Sequence, residues 1–334
     1  MEIKTSLIKR ILFFRTDRIG DFLVNLPTLE VLKQTFPTAS ITVVLNPVVK
    51  NLVEGHHAIT TPVPFSTCVR PSFIEWIKLY LFLRKSSYDI AIVSNPHKYF
   101  HLLTWILKIP VRVGYNRKWK CFLNHRSSSE EKEWGFPQHQ VWYNFKLLSP
   151  LLGGSYPLPV VSLPISEQDR KQLQMLIENE NIPQKPFIVI SPFSTHKDKE
   201  WPVSHYLTLA KKLSEDKKYF IILMGGPEDE DKLISVPLSP GIYNLCGKLS
   251  LRNVATLLRD THLLISNDSG PVHIAACVQT KTVVLYGRQN KGSSPVRWGA
   301  HWNGGNTTDH RSIVKDFISD ITVEEVWSMV KEIF

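Results

Sequence analysis

Residues 11–21 read Ile11-Leu12-Phe13-Phe14-Arg15-Thr16-Asp17-Arg18-Ile19-Gly20-Asp21. Four apolar residues run into a polar turn, and an amphipathic stretch from Asp21 to Phe36 follows. That order spells a buried strand, a turn and a helix. A dinucleotide site would place a GxGxxG fingerprint in such a turn. Here Gly20 is the single glycine, so a nicotinamide or flavin site is not expected in this domain. A carboxylate, Asp21, stands at the helix start instead. Spacing alone leaves two readings open. Asp is a good helix N-cap; it is also well placed as a base, because doubly wound sheets bind ligands outside the carboxyl ends of their strands. Arg15 and Arg18 beside it suit an anionic acceptor or are simply solvated.

The same alternation continues along the chain. Ile41–Leu45 and Ile90–Val93 read as further strands of a first domain. The pattern starts over with Phe187–Ile190, Phe220–Met224, Tyr243–Leu245, Leu263–Ser266 and Thr282–Tyr286. Helical patterns at Val203–Leu213, Leu251–Leu258 and Gly270–Cys277 lie between them. Buried strands alternating with helices predict an α/β protein with two doubly wound parallel-sheet domains. The breaker-rich segment Gly153–Pro159 marks the approach to the linker. The expected domains are residues 1–165 and 166–334, with the last helix, Thr322–Phe334, free to pack back on the first domain.

At 334 residues and 43% hydrophobic, the chain can bury a core in each domain. Disorder, collagen and coiled coil are excluded as global readings. The net charge of +10 is uneven: residues 1–165 hold 20 Lys and Arg against 10 Asp and Glu, whereas the rest balances at 20 each. The first half therefore points to an anionic partner, be it an acidic substrate, an anionic membrane or nucleic acid, or it is simply a soluble basic domain with no polyanion partner. Cys68, Cys121, Cys246 and Cys277 are scattered, with no CxxC pair and no zinc spacing. The start of the chain has no apolar stretch of signal-peptide length, and no apolar run nears the ~20 residues of a membrane span. A cytoplasmic protein is expected, one able to touch the inner face of the plasma membrane peripherally without crossing it.

Polar residues just after strands carry the remaining information. Ser191-Pro192-Phe193-Ser194-Thr195-His196-Lys197-Asp198-Lys199-Glu200-Trp201-Pro202 brings hydroxyls and lysines to a helix start. That chemistry suits a phosphate, although GxxxxGK[ST] is absent and a polar surface loop would read the same way. Ser266-Asn267-Asp268-Ser269-Gly270-Pro271-Val272-His273 ends a strand and opens a helix whose free N–H groups can take an anion. Asp268 suits a cap or sugar hydroxyls, and His273, a lone helical histidine, is more often structural than catalytic. Gly225-Gly226-Pro227-Glu228-Asp229-Glu230-Asp231 is a glycine-rich turn with four consecutive acids, read as a solvated helix start; no metal is assigned. Finally, Arg112, Tyr115, Arg117, Lys118, Trp119, Lys120 and Arg126 interleave cations with aromatics. Such a pattern serves single-stranded nucleic acid, or phosphates and carboxylates on a membrane-borne glycan. Nothing matches a nucleic-acid module, and no nucleic-acid partner is expected.

Taken in order, these segments resemble the glycosyltransferase family 9 heptosyltransferases of lipopolysaccharide core assembly, over nearly the whole chain. The matching motifs are Ile19-Gly20-Asp21 with Leu26-Pro27, Ser194-Thr195 leading to Lys199-Glu200-Trp201-Pro202, Gly225-Gly226-Pro227-Glu228, Gly247–Leu251 and Asn267–His273. The resemblance implies a GT-B fold: two Rossmann-like domains facing an interdomain cleft, the first binding acceptor and the second binding a nucleotide sugar, ADP-heptose. It implies Asp21 as general base and Lys199, Ser194 and Thr195 on the diphosphate. It further implies Asp268 on the sugar, the Ser269 and Gly270 amides on phosphate, and Glu228 toward the nucleoside, with His273 in the same donor set. Arg15, Arg18, Arg112 and Arg117 are the candidates for an anionic glycolipid acceptor. The implied reaction is an inverting transfer with no cofactor beyond the donor. The chain departs from the family after Tyr286, where Gly287-Arg288-Gln289-Asn290-Lys291 replaces G-P-T-x-P.

Overall fold

A computed structural model describes residues 7–95, 97–127, 138–152, 156–234, 236–288, 293–304 and 308–334. The linker glycines Gly153 and Gly154 and the divergent Gln289-Asn290-Lys291 lie outside the described residues. The chain divides into two compact units, Met1–Pro164 and Ile165–Phe334.

The first unit runs β1 (Arg10–Arg15), α1 (Ile19–Leu23), α2 (Leu26–Thr35), β2 (Ser40–Leu45), α3 (Pro47–Val53), β3 (Thr61–Pro64), α4 (Phe73–Leu83), β4 (Ile90–Val93), α5 (Lys98–Ile106), β5 (Val111–Tyr115), β6 (His125–Ser127), α6 (Gln140–Phe145) and α7 (Ser149–Leu152). Its sheet has the order β3-β2-β1-β4-β5-β6, with every pair parallel. β1 and β4 are neighbours in register Phe14↔Val93. Both are buried on both faces, which is why they read as unbroken apolar runs. On one face α4 and α5 close a core around Phe14, Phe65 and Phe100. β3 escapes a sequence reading because Pro62 and Pro64 flank Val63; it is an edge strand, where proline is tolerated. The expected single helix from Asp21 to Phe36 is two. Pro27 sits at the second position of α2 without an N–H, and the chain turns at Asn25, whose amide donates to the Asp21 carbonyl at 2.7 Å.

The second unit runs α8 (Glu167–Asn179), β7 (Phe187–Ser191), α9 (Val203–Glu215), β8 (Phe220–Leu223), α10 (Glu230–Ile234), β9 (Ile242–Asn244), α11 (Leu251–Asp260), β10 (Leu264–Asn267), α12 (Gly270–Cys277), β11 (Thr282–Gly287), α13 (Pro295–Trp298), β12 (His310–Lys315) and α14 (Val323–Lys331). Its order, β12-β11-β10-β7-β8-β9, is the same topology again, and all pairs are parallel. α14, capped by the reciprocal Thr322–Glu325 box, inserts Val326 and Val330 into the core of this unit, against α9. Trp201, fully buried there, donates its indole N–H to the Ile321 carbonyl at 2.7 Å. Each sheet thus reverses its strand order once, between β1 and β4 and between β7 and β10. In open α/β sheets those reversals are where ligands bind.

Candidate active site

At the first reversal the end of β1 faces the end of β4. Arg15, the last residue of β1, is 5% exposed. Its guanidinium donates from Nε to Asp17 Oδ1 at 2.7 Å, from one terminal nitrogen to Asp21 Oδ1 at 2.7 Å, and from the other to the Ser94 carbonyl beyond β4 at 2.8 Å. Burial opposes its charge, yet Asp17 and Asp21 outweigh that and hold Arg15 above its ordinary range. Burial pushes Asp17 up to about 6 against the pull of Arg15, and Asp21 adds to the rise. One cation is shared by two carboxylates. Arg18, not Asp21, occupies the N-cap position of α1; Asp21 lies in the first turn with its carboxylate on Arg15, so the capping alternative falls. The side chain of Asp21 is 23% exposed. Its Oδ1 is anchored, and Oδ2 has no partner among the described residues. Behind it, Ser94 donates to Asn25 Oδ1 at 2.6 Å, and the Tyr115 hydroxyl donates to Asn144 at 2.8 Å. Burial lifts the Tyr115 phenol to about 12, which keeps it a neutral donor.

At the second reversal the loop after β7 meets the end of β10. Asn267, fully buried, ties them together. Its Oδ1 accepts the Trp201 N–H at 3.0 Å and the Tyr206 hydroxyl at 2.8 Å, and its amide donates to the Pro192 carbonyl at 2.7 Å. Glu200 accepts the Ser194 N–H at 2.8 Å, which folds the loop back on itself. So held, Lys199 donates to Asp268 Oδ2 at 2.7 Å, with the lysine 17% exposed and the aspartate nearly buried. Ser293 also donates to that carboxylate oxygen. Ser269 sits at the N-cap of α12 with no side-chain cap on the helix, and Pro271 fills its first turn. The Ser269 and Gly270 amides therefore stand at an uncapped helix start beside the Lys199–Asp268 pair, a place where anions are stabilised.

This geometry coincides with a family match: glycosyltransferase family 9 (heptosyltransferase) covers residues 76–308. The chain belongs to glycosyltransferase family 9. It is 27% identical over 311 residues to lipooligosaccharide heptosyltransferase 2 of Haemophilus ducreyi, covering 86% of this chain and 85% of that one. It is 24% identical to lipopolysaccharide heptosyltransferase 2 of Escherichia coli, covering 86% and 85%. Among solved structures, a family 9 glycosyl transferase from Veillonella parvula superposes with a TM-score of 0.83 at 20% identity, covering 97% of each chain. E. coli ADP-heptose lps heptosyltransferase II gives 0.79 at 22%, covering 98% of each. The fold is thus the GT-B type of this family, two Rossmann-like units, and the chain is a glycosyltransferase.

The remaining candidates of this glycosyltransferase divide by burial. Ser194 is half-buried, Thr195 and Glu228 are exposed, and Arg18 is exposed at the start of α1. In the acidic run the buried carboxylate is Asp229, which accepts the Gly226 N–H at 2.8 Å and pairs with Lys232 at 2.6 Å. His273 is buried with its ring 5.8 Å from Trp298, a packing position in α12. Arg15, buried, and Arg112, half-buried, both have their guanidinium groups engaged by partners within the protein, although each was a candidate for an acceptor. Arg15 is spent as described, and Arg112 donates to the Phe122 carbonyl at 2.7 Å and the Ile109 carbonyl at 2.5 Å, latching a loop. Arg117 is exposed, its guanidinium 5.8 Å from the Tyr115 ring.

Among the described residues one trio has metal-ligand spacing, Glu30 with His56 and His57, with ligand atoms within 4.8 Å of one another. His57 Nε2 is 2.7 Å from Glu30. The Ala58 N–H donates to His56 Nδ1 at 3.3 Å, so the neutral ring carries its proton on Nε2, toward Glu30 at 3.5 Å. Burial, then His57, depresses His56 to about 4 and keeps it neutral. A ring protonated at Nε2 offers no lone pair there; of the two histidines it is His57 that is hydrogen-bonded to Glu30, while His56 Nε2 is buried without a hydrogen-bond partner among the described residues.

Sequence reasoning missed Asn25, Ser94, Asn144 and Ser293, and it quoted Glu200 without giving it a role. Ser94 and Asn95 could have been found, since they follow β4 as Arg15 follows β1. Ser293 carries no such signal.

Proposed function

We infer that the protein is an inverting heptosyltransferase that moves heptose from ADP-heptose to an anionic lipopolysaccharide-core acceptor. The observation that carries this reading is the Asp21 carboxylate, fixed at a strand-order reversal by the buried Arg15 with one oxygen left open. Asp21 removes the proton of an acceptor hydroxyl as that oxygen attacks the anomeric carbon. A base performs this only within hydrogen-bond reach, and Arg15 fixes its orientation. The glycosyl centre passes through an oxocarbenium-like state while the bond to the diphosphate breaks. Lys199, Ser194, Thr195 and the Ser269 and Gly270 amides receive the charge that grows on the leaving group. An incoming diphosphate competes with Asp268 for Lys199, which frees Asp268 for sugar hydroxyls. Glu228, exposed beyond β8, is assigned to the nucleoside, and Arg18 and Arg117 to acceptor anions. Support comes from the relatives' own names and from a solved E. coli heptosyltransferase with ADP, of like fold at a TM-score of 0.73.

The test is calorimetry with ADP, UDP, GDP and CMP, paired with turnover of ADP-heptose. Wild type should select ADP, and Lys199→Ala should weaken it. Asp21→Asn should lower kcat by about 10²–10⁴-fold with ADP affinity unchanged. Undiminished turnover in Asp21→Asn removes the base; preference for another nucleotide removes the heptose donor.

A further inference from the structure

We propose that the outer side of α4, with the aromatic loop after β5, is a docking surface for an anionic lipid bilayer, held by inserted apolar side chains as well as by charge. α4 is apolar on both sides. Trp76, Leu79, Tyr80 and Leu83 face the core of the first unit. Phe73, Ile74, Ile77, Leu81 and Phe82 face outward, between 39% and 79% exposed. A single exposed leucine is ordinary, but five large apolar residues on one side of one helix are not. The patch continues through rings in contact. Trp76 lies 5.6 Å from Tyr99, Tyr99 5.1 Å from Trp119, Trp119 6.2 Å from Phe122, and Phe122 5.5 Å from Trp105. Trp119 takes a left-handed backbone at φ 62°, rare for a bulky residue, with the Lys98 ammonium 4.7 Å from its ring. Strain of that kind persists where the surroundings hold it, and the turn that follows Trp119 is tied down by the Arg112 bond to the Phe122 carbonyl.

Charge names the occupant. Residues 66–126 carry eleven Lys and Arg against two Asp and Glu, a net of +9 out of +10 for the whole chain. Both acids are turned to the protein's own backbone: Glu75 caps α4 through Ser72, and Asp89 accepts the Lys9 and Arg10 amides at 2.8 Å. A second copy would set like charge against like. Nucleic acid would meet the cations and rings but gain nothing from Ile74, Ile77 and Leu81. An anionic leaflet matches all three features: basic residues for its headgroups, Trp and Tyr for its interface, and aliphatic groups for its acyl boundary. Among the described residues no helix is long and apolar enough to cross a membrane, so the contact is one of lying on the surface.

The experiment is flotation of the full chain with vesicles of phosphatidylethanolamine and phosphatidylglycerol, against vesicles of phosphatidylcholine alone. It uses neither donor nor acceptor, so its result stands apart from that of the transfer reading. Wild type should bind the anionic vesicles, more weakly but measurably at high salt. Phe73→Ser with Ile74→Ser should lower partitioning at least about tenfold, since both are large apolar groups. ADP affinity and melting temperature should not change, because both residues are exposed. Lys78→Glu with Lys85→Glu should reduce binding at low salt and leave the high-salt remainder. Equal partitioning of the serine variant overturns the proposal, as does wild-type indifference to lipid charge. A wild-type dimer that the serine variant dissolves in sedimentation overturns it in favour of a second copy.

Discussion

Replacing Asn267 by alanine should destabilise the second unit more than any other single polar substitution near the candidate site. Asn267 is fully buried and makes three hydrogen bonds, to the Trp201 N–H, the Tyr206 hydroxyl and the Pro192 carbonyl. Alanine leaves three buried groups without partners. Each costs about 1–3 kcal/mol, and some water entry into the space vacated lowers the sum to about 3–6 kcal/mol. Against a total of roughly 5–15 kcal/mol this is a large fraction. For a unit of this size it corresponds to about 6–24 °C in melting temperature. Tyr206→Phe is the calibrating variant. It deletes one of the three bonds and leaves the Trp201 N–H on Asn267, so it should cost about 1 kcal/mol. Thermal and urea unfolding of both variants measure the difference, and ADP calorimetry at a temperature where each is folded reads the site. Asn267→Ala should also weaken ADP, because Lys199 and Glu200 adjoin the anchored Trp201 backbone. Similar melting temperatures for the two variants would refute the argument that Asn267 joins β10 to the loop after β7.

Three further outcomes are expected. Arg15 is shared by Asp17 and Asp21, and Asp17 is lifted to about 6 by burial; as pH falls through that value, protonated Asp17 releases Arg15 onto Asp21 and makes the base weaker. The kcat profile should therefore fall on the acid side with an inflection near 6, and Asp17→Asn should lower kcat at neutral pH and lose that inflection. Burial depresses His310 to about 4, below its unfolded value, so the unfolded chain binds the extra proton and stability is lost as pH falls from about 6.5 toward 4. His310→Gln should lose less stability than wild type between pH 7 and pH 5, by about 1–2 kcal/mol in urea unfolding; an identical loss would show that His310 is not the titrating group. Gly247 has φ +78°, and a Cβ there would lie 2.8 Å from Glu230 Cβ. Gly247→Ala should cost about 1–3 kcal/mol, and an unchanged urea midpoint would contradict that strain.

Much of the architecture was legible in the chain. The central strands β1, β4, β7, β10 and β11 are buried on both faces, so burial writes them as unbroken apolar runs that need no partner to be seen. The motifs around Asp21, Lys199 and Asp268 were legible too, because each follows such a strand. Two edge strands were not, although the edge strand β9 was read as Tyr243–Leu245: β3 carries two prolines, and β12, His310–Lys315, is only half-buried apart from Ile313 and resembles a loop.

The sequence by itself determined two α/β halves, the excess of positive charge in the first, and the residue types that meet at each strand end. Tertiary structure decided which strand ends are neighbours. Parallel order places β4 beside β1 and β10 beside β7, and only that order brings the Ser94 carbonyl to Arg15 and Asp268 to Lys199, residues far apart in the chain. It also decided that Arg15 and Arg112 are engaged by the protein's own carboxylates and carbonyls while Phe73 and Ile74 stand exposed. Periodicity records how much of a residue its own element buries. Which group stands opposite a side chain depends on elements that the local sequence does not encode.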